Sequence, residues 1–429
     1  MNDILRKIIL YLLTLEAKQI LKKYKPRIIA VTGSVGKTST KDAIYTILSE
    51  KYFTRKSEKS FNSEFGVPLT ILGCPSGWNN PFIWARNLIE GLSLIISKSP
   101  YPEWLVLEVG ADRPGDIKTI GSWLKPDIAV ITALPDIPVH VEYFKSAAAV
   151  REEKKELTHA LKADGILVLN KDDVEVEKLA HEFRNPVKFY GTIGGCDVRA
   201  SHGRSLVEEG ILMGYCFRLN KGKESFPVEI QGSVGRQLLY PATAAAVVGE
   251  IAGLSWEEIQ IGARKLKGAP GRGKLLKGLK NTYIIDDTYN ASPLAVQEAL
   301  RTLEEAKAPG RKIAVLGDMM ELGTYSKKAH EDVGAHAAKV VDMLFTVGIR
   351  ARQIAEGALE NGLHESKILQ YEDAKRAGKE LELKLKEGDI VLLKGSQSMR
   401  MERAVKEIMA EPERAKELLV RQEEEWEKR

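Results

Sequence analysis

Cysteine is scarce: Cys74, Cys196 and Cys216 are the only three in 429 residues. Thiols this few and this irregularly spaced exclude a disulfide framework and a zinc site built on paired cysteines. They fit a chain kept reduced, as in a cytoplasm. Charge of one sign is lacking too. The net +5 is a small difference between 64 basic and 59 acidic residues, without the concentrated basic face that nucleic acid requires, so no nucleic-acid partner is expected. No apolar run is long enough to span a membrane, and no internal repeat or low-complexity linker is evident. What is present, 44% hydrophobic and 29% charged residues, suits two or three soluble domains with buried cores.

Residues 8–15 (IILYLLTL) follow Arg6 and Lys7 in the manner of a secretory signal. No small-residue cleavage site follows, and Glu16, Lys18, Lys22 and Lys23 come at once. An amphipathic helix over 1–25 fits better, either packed on the first domain or lying at a membrane surface.

Beyond it, short apolar runs alternate with helical patterns. Residues 27–31 (RIIAV), 104–109 (WLVLEV), 128–132 (IAVIT) and 166–170 (ILVLN) read as strands of a mostly parallel sheet covered on both faces. A polar, glycine-dotted stretch over 191–235 predicts an antiparallel elaboration, and an alanine-rich helix follows over 241–254. Glycine and proline cluster in KGAPGRGK (267–274), which marks a domain boundary. The strand–helix rhythm then restarts, with strands at 283–286, 313–316, 343–347 and 390–393. The tail from 411 to 429 is highly charged and reads as a solvated helix. The fold class is therefore α/β. A P-loop central domain over 26–269, with an apolar insertion at 74–102, is followed by a Rossmann-like α/β domain over 270–429.

The strongest local signal is Thr32-Gly33-Ser34-Val35-Gly36-Lys37-Thr38-Ser39, between a strand and a helix. Glycines there let backbone N–H groups turn toward an anion, and the helix N-terminus adds partial positive charge. Lys37 is placed to neutralise β- and γ-phosphates, and the Thr38 hydroxyl to bind Mg²⁺. The full Walker pattern has a glycine where this chain has Val31.

The form T-G-S-x-G-K-T-S resembles the P-loop of the Mur ligase family, and the resemblance runs from about residue 26 to residue 410. Seven further marks follow the family's order. Asn62 and Ser63 stand in FNSEFGVPLT, like the family's substrate-side loop; Glu108 closes a strand in LVLEVGADRPGDI. His140 and Lys154, fourteen positions apart, match H-x-E-x-F-x-S…K-x-E-[IL]. Pro270-Gly271-Arg272 and Asp286-Asp287-Thr288-Tyr289-Asn290-Ala291-Ser292-Pro293 follow, the second in the form of the branch that adds D-alanyl-D-alanine. Asp318, Glu321 and His330 sit in GDMMELG…H, and Lys394 in LKGS.

The resemblance implies an ATP-dependent amide ligase that works through an acyl phosphate in peptidoglycan precursor synthesis. Its partners would be a UDP-MurNAc-tripeptide-type acceptor and D-alanyl-D-alanine, and the enzyme would be a monomer. Residue by residue it implies catalytic roles for Lys37, His140 and Lys154, and Mg²⁺ binding by Thr38, Glu108, His140 and a carbamylated Lys154. Nucleotide contacts would come from Gly33, Ser34, Gly36, Lys37, Thr38, Ser39, Arg272, Asp286 and Asn290. Asn62, Ser63, Asp318, Glu321, His330 and Lys394 would face the other substrates.

Two features depart from the family pattern. Its G-x-H-N-x-x-N is here Gly235-Arg236-Gln237-Leu238-Leu239-Tyr240-Pro241, so adenine contacts differ, Gln237 is the candidate amide substitute, and nucleotide preference stays open. Only about 26 residues precede the first strand, too few for the family's UDP-gripping domain. Residues 1–25 and 74–102 are expected to pack together, either as a cover for an exposed edge or as a peripheral contact with membrane or substrate. Two other readings remain: a Mur-type ligase for another acceptor or amine, such as poly-glutamate or a different wall peptide, and a nucleotide-binding scaffold without catalysis.

Overall fold

Apolar runs of four to six residues, buried on both faces, become the parallel strands of two sheets. The computed structural model describes residues 3–58, 61–209, 211–307 and 309–427. The ends of the two terminal segments singled out above, 1–2 and 428–429, lie outside the described residues.

The chain opens with helix α1 (Asp3–Tyr24), then β1 (Arg27–Thr32), α2 (Lys37–Leu48) and β2 (Thr54–Lys56). Helices α3 (Gly66–Leu72) and α4 (Pro81–Ile96) lead to β3 (Trp104–Glu108), α5 (Asp116–Leu124) and β4 (Ile128–Ile131). Next come α6 (Ala147–His159), β5 (Ile166–Asn170), α7 (Val174–Glu182) and β6 (Val187–Gly191). β7 (Val198–Glu208), β8 (Ile211–Lys221) and β9 (Glu224–Gln231) form the antiparallel elaboration, and α8 (Leu239–Ile251) is the alanine-rich helix. The sheet order is β2-β3-β1-β4-β5-β6-β7-β8-β9, parallel from β2 through β7. β1 therefore has β3 on one side and β4 on the other, which opens a crevice beyond their carboxyl ends.

The second sheet contains β10 (Lys274–Gly278), β11 (Thr282–Asp286), β12 (Lys312–Gly317), β13 (Met343–Val347), β14 (Ile368–Tyr371) and β15 (Ile390–Lys394). Its order is β10-β11-β15-β12-β13-β14, with β10 alone antiparallel. Strands β2, β6, β10 and β14 carry no unbroken apolar run, so periodicity does not announce them. Three of them (β2, β10, β14) lie at sheet edges, where burial is partial.

Helix α1 and the 74–102 segment do pack together. Lys23 Nζ donates to the carbonyls of Leu94 (2.8 Å), Ile95 (3.0 Å) and Ser97, and Tyr24 donates to Leu94 O (2.9 Å). A cation on the last carbonyls of α4 satisfies orphan acceptors and complements the helix dipole. Asn80 caps the other end of α4 ahead of Pro81.

The charged tail is not the solvated helix that its composition predicts. It breaks into short turns at Pro412–Arg414, Ala415–Leu418 and Glu424–Glu427. Ala415 and Leu419 are buried in the core of the second sheet, and Arg421 is buried beside Glu402. A few apolar anchors and one compensated internal charge outweigh the solvation of the rest.

Candidate active site

The turn after β1 is shaped by two glycines and held by β4. Gly33 (φ 137°) and Gly36 (φ 87°) take backbone angles that side chains disfavour. A Cβ on Gly33 would lie 2.0 Å from Thr132 Oγ1. Thr132 donates to Val35 O (2.7 Å), and the Ser34 amide donates to Ala133 O (2.8 Å), so the loop is pinned from its neighbour. Lys37 opens α2 and donates to Gly33 O (2.9 Å). Burial lowers the pKa of its ammonium, and nearby Glu108 opposes that shift. Ser34 Oγ is buried without a hydrogen-bond partner, as expected of a hydroxyl held for a ligand. Ser39 follows, half-buried, in the first turn of α2.

Four segments meet at Thr38. Its hydroxyl donates to Glu108 Oε2 (2.7 Å) at the end of β3, and Arg272 Nη2 donates to Thr38 Oγ1 (3.0 Å) from the other sheet's side. Asn62 Nδ2 donates to the second Glu108 oxygen (3.1 Å). Arg272 lies over the Tyr289 ring, with its guanidinium carbon 3.9 Å from the centroid.

Lys154, buried on α6, faces the same crevice. Burial and then the Lys37 ammonium push its amine down to about 7, against the pull of Asp112, Glu153 and Glu108. Glu153, its neighbour, accepts from the Gly115 and Ile117 amides (2.7 and 2.8 Å) and so ties α6 to the start of α5. His140 Nε2 is 3.6 Å from Asp112 Oδ1, and His140 Nδ1 is 2.5 Å from Glu321 Oε2 of the second sheet. Both His140 (φ 68°) and Glu321 (φ 62°) are left-handed, an uncommon conformation for residues with side chains.

The Asp286–Asn290 turn closes the crevice from the C-terminal side. Asp286 is fully buried, which pushes its carboxyl up to about 6, and Oδ2 has no hydrogen-bond partner while Oδ1 accepts from Thr288. Lys394 is spent within the loop: it donates to Asp287 Oδ2 (2.6 Å) and Asn290 O (3.0 Å) and so braces the turn. His330 is likewise buried and satisfied, accepting from Met319 N–H at Nε2 (2.9 Å) and donating from Nδ1 to Ser326 O (2.7 Å). Asp318 accepts from the Ala351 amide (2.7 Å). Gln237 binds Val234 O (2.7 Å) and accepts from Thr302 (3.4 Å), so its amide is engaged by protein. Ser63 is exposed at the start of α3.

Lys37, Thr38, Glu108, Arg272, Lys154, His140, Asn62 and Glu321 thus come together, whereas Asp318, His330, Lys394 and Gln237 support the walls around them. Sequence reasoning did not single out Asp112, within reach of His140, Lys37 and Lys154, although it lies in the quoted GADRPGDI. It also missed Arg421, which pairs with Glu402 and braces Tyr289 from behind; nothing in a charged tail signals it.

The donors suit a hard cation: a threonine hydroxyl and a strand-end carboxylate at the mouth of a phosphate loop. Among the described residues no group of three His, Cys, Asp or Glu is placed to hold a metal ion.

The family profile for the Mur ligase middle domain matches residues 31–83 and 88–249, and that for the Mur ligase glutamate ligase domain matches residues 271–397. The chain belongs to the Mur ligase family. This Mur ligase is 31% identical, over 92% of its length and 79% of the other's, to the UDP-N-acetylmuramoyl-tripeptide–D-alanyl-D-alanine ligase of Bacillus subtilis (strain 168). The same enzyme of Escherichia coli (strain K12) is 28% identical over 89% of this chain and 76% of its own. In structure the Mur ligase is similar to MurF ligase from Thermotoga maritima in complex with ADP. The TM-score is 0.74 at 28% identity, covering 93% of this chain and 83% of that one.

Proposed function

We propose that this Mur ligase joins D-alanyl-D-alanine to a UDP-MurNAc-tripeptide-type acceptor at the expense of ATP. The observation that carries the reading is the meeting of Lys37, Thr38, Glu108 and Arg272 at one point between the two sheets, with the buried Lys154 amine facing it. The relatives that share this chain's architecture are named for that reaction.

The chemistry runs in two steps. An acceptor carboxylate oxygen attacks the γ-phosphorus; the bond to the bridging oxygen breaks, giving an acyl phosphate and ADP. The dipeptide amine, having shed its proton, attacks the acyl carbon, and phosphate leaves with the electron pair of the C–O bond. Lys37, Arg272 and the loop amides hold the phosphates in line and neutralise charge. Asn62, pinned to Glu108, and Glu321, pinned to His140, set the acceptor side. Thr38, Glu108, His140 and the carbamate of Lys154 would hold Mg²⁺, which supplies charge neutralisation between carboxylate and phosphates.

A neutral amine adds to CO₂ with loss of a proton, so an amine held near 7 is suited to carbamylation. The product anion removes the cation–cation strain between Lys154 and Lys37. A ligase for a different acceptor or amine uses the same core, and the engaged Gln237 leaves the base contacts of the nucleotide to other groups. A scaffold has no need of a buried amine beside phosphate ligands.

The test is phosphate release from ATP and Mg²⁺ with UDP-MurNAc-tripeptide, with and without D-alanyl-D-alanine. Release that needs both substrates and disappears in Lys37→Ala supports the proposal. Absence of release from folded, ATP-binding protein shifts the acceptor to another peptide.

A further inference from the structure

Helix α1 carries two apolar stripes. Ile9, Leu13, Ala17 and Ile20 recur at helical spacing and are buried in the same core as Trp84 of α4. On the opposite side Ile8, Tyr11 and Leu15 are exposed, Tyr11 at 68%. With 3.6 residues per turn, that outer stripe continues through Lys18 and Lys22. It is thus apolar in its first half and cationic in its second. Helix α4 repeats the arrangement: Trp84, Asn87 and Gly91 face inward, and Phe82 (83% exposed), Ile89 and Ile96 (75% exposed) face outward. A patch made by two neighbouring helices is more than the scattered surface apolars of an ordinary soluble protein.

Charge selects the occupant. Residues 1–25 hold six basic and two acidic side chains, a surplus of four in a chain whose whole surplus is five. Arg6 is partly engaged, by Glu64 and the Phe65 ring, and Lys23 caps α4, but Lys7, Lys18, Lys22 and Lys25 are exposed. A second copy of this chain would bring the same cations against these; an anionic lipid surface complements them. Among the described residues no helix is long and apolar enough to cross a membrane, so the helices would lie in the interface plane.

We propose that the outer faces of α1 and α4 form a docking platform for an anionic phospholipid bilayer. The platform touches the acceptor side of the crevice. Arg6 sits over Phe65 (5.3 Å), Phe65 packs on Trp84 (5.7 Å), and the loop before Phe65 supplies Asn62 to Glu108. Docking therefore sets that loop directly behind the lipid-facing helices. The inference stands on the surface alone and does not depend on which acceptor the enzyme uses.

The experiment is flotation of the full chain with phosphatidylcholine vesicles, with and without phosphatidylglycerol, alongside light scattering for oligomeric state. Flotation only with the anionic vesicles, weakened by salt, is expected. It should fall at least about tenfold in Tyr11→Ser/Phe82→Ser/Ile96→Ser and in Lys18→Glu/Lys22→Glu, with helical circular dichroism and ATP turnover unchanged. Protein that floats with neither vesicle, or equally with both, overturns the proposal. So does a dimer that the serine variant dissociates, which would make the face a seam between copies.

Discussion

Glu321 Oε2 lies 2.5 Å from His140 Nδ1 and so joins the second sheet's first long loop to the crevice of the first. The contact is reinforced by the Glu142 amide donating to Glu321 O (3.3 Å). It also lowers the pKa of the Glu321 carboxyl. A half-exposed pair of this kind contributes about 1 kcal/mol, enough to bias how the two sheets close over a nucleotide. Glu321→Ala should therefore lower kcat/KM for ATP about fivefold and make the 267–274 connection easier to cut by protease. Unchanged kinetics and unchanged cleavage would remove Glu321 from closure.

Lys154 gives a pH signature in stability. Its folded pKa, about 7, lies below its ordinary value of 10.5. Between those values the unfolded chain holds a proton that the folded chain has lost, so stability rises with pH across that window. Lys154→Met should flatten the rise and stabilise the protein near pH 7 by on the order of a few kcal/mol, read from denaturant midpoints. The same variant should lose ligation by a hundredfold or more, roughly the effect of one preorganised charge. In the parent protein, labelled bicarbonate should give a carbamate carbon signal that Lys154→Met lacks.

These residues were readable because phosphate chemistry is local. A glycine-framed Lys37 at a strand–helix junction and Glu108 at a strand end need only their own neighbours to declare themselves. The sheet switch that gathers them follows from alternating strands and helices. Asp112, Glu153 and the β2, β10 and β14 edges depend on tertiary neighbours, and no periodicity encodes those. The tail is the sharpest case: Arg421 is indistinguishable in sequence from the exposed charges around it.

That tail supplies the third prediction. Arg421 Nη1 donates to Glu402 Oε2 (3.1 Å) and to Thr288 O (3.2 Å), and Nη2 donates to Tyr289 O. Val420 lies against Gly271. Arg421→Ala removes one of the two cations that pair with buried Glu402 and leaves Arg400 as the other, a loss of about 2 kcal/mol. Because Tyr289 carries the stacked Arg272, the KM for ATP should rise as well. Arg421→Met/Glu402→Met should recover stability without recovering KM. Recovery of both would confine the tail to a structural role.

Glu16 offers the last. Its Oε2 is buried without a hydrogen-bond partner where α1 meets α4, and a Cβ on Gly91 would lie 2.2 Å from it. Burial pushes this carboxyl from 4.5 up to about 7. The folded protein then holds a proton that the unfolded chain releases between those values, so stability is full below the lower one. It declines as pH rises toward 7 and stays lower above it. Glu16→Gln keeps the shape and removes the ionisation, so its melting temperature should match the parent at about pH 4 and exceed it at about pH 8. Gly91→Ala should loosen the helix pair at both pH values by forcing the carboxyl aside. Equal melting curves for Glu16→Gln and the parent across that range would mean that water reaches the carboxylate and the α1–α4 seam is open there.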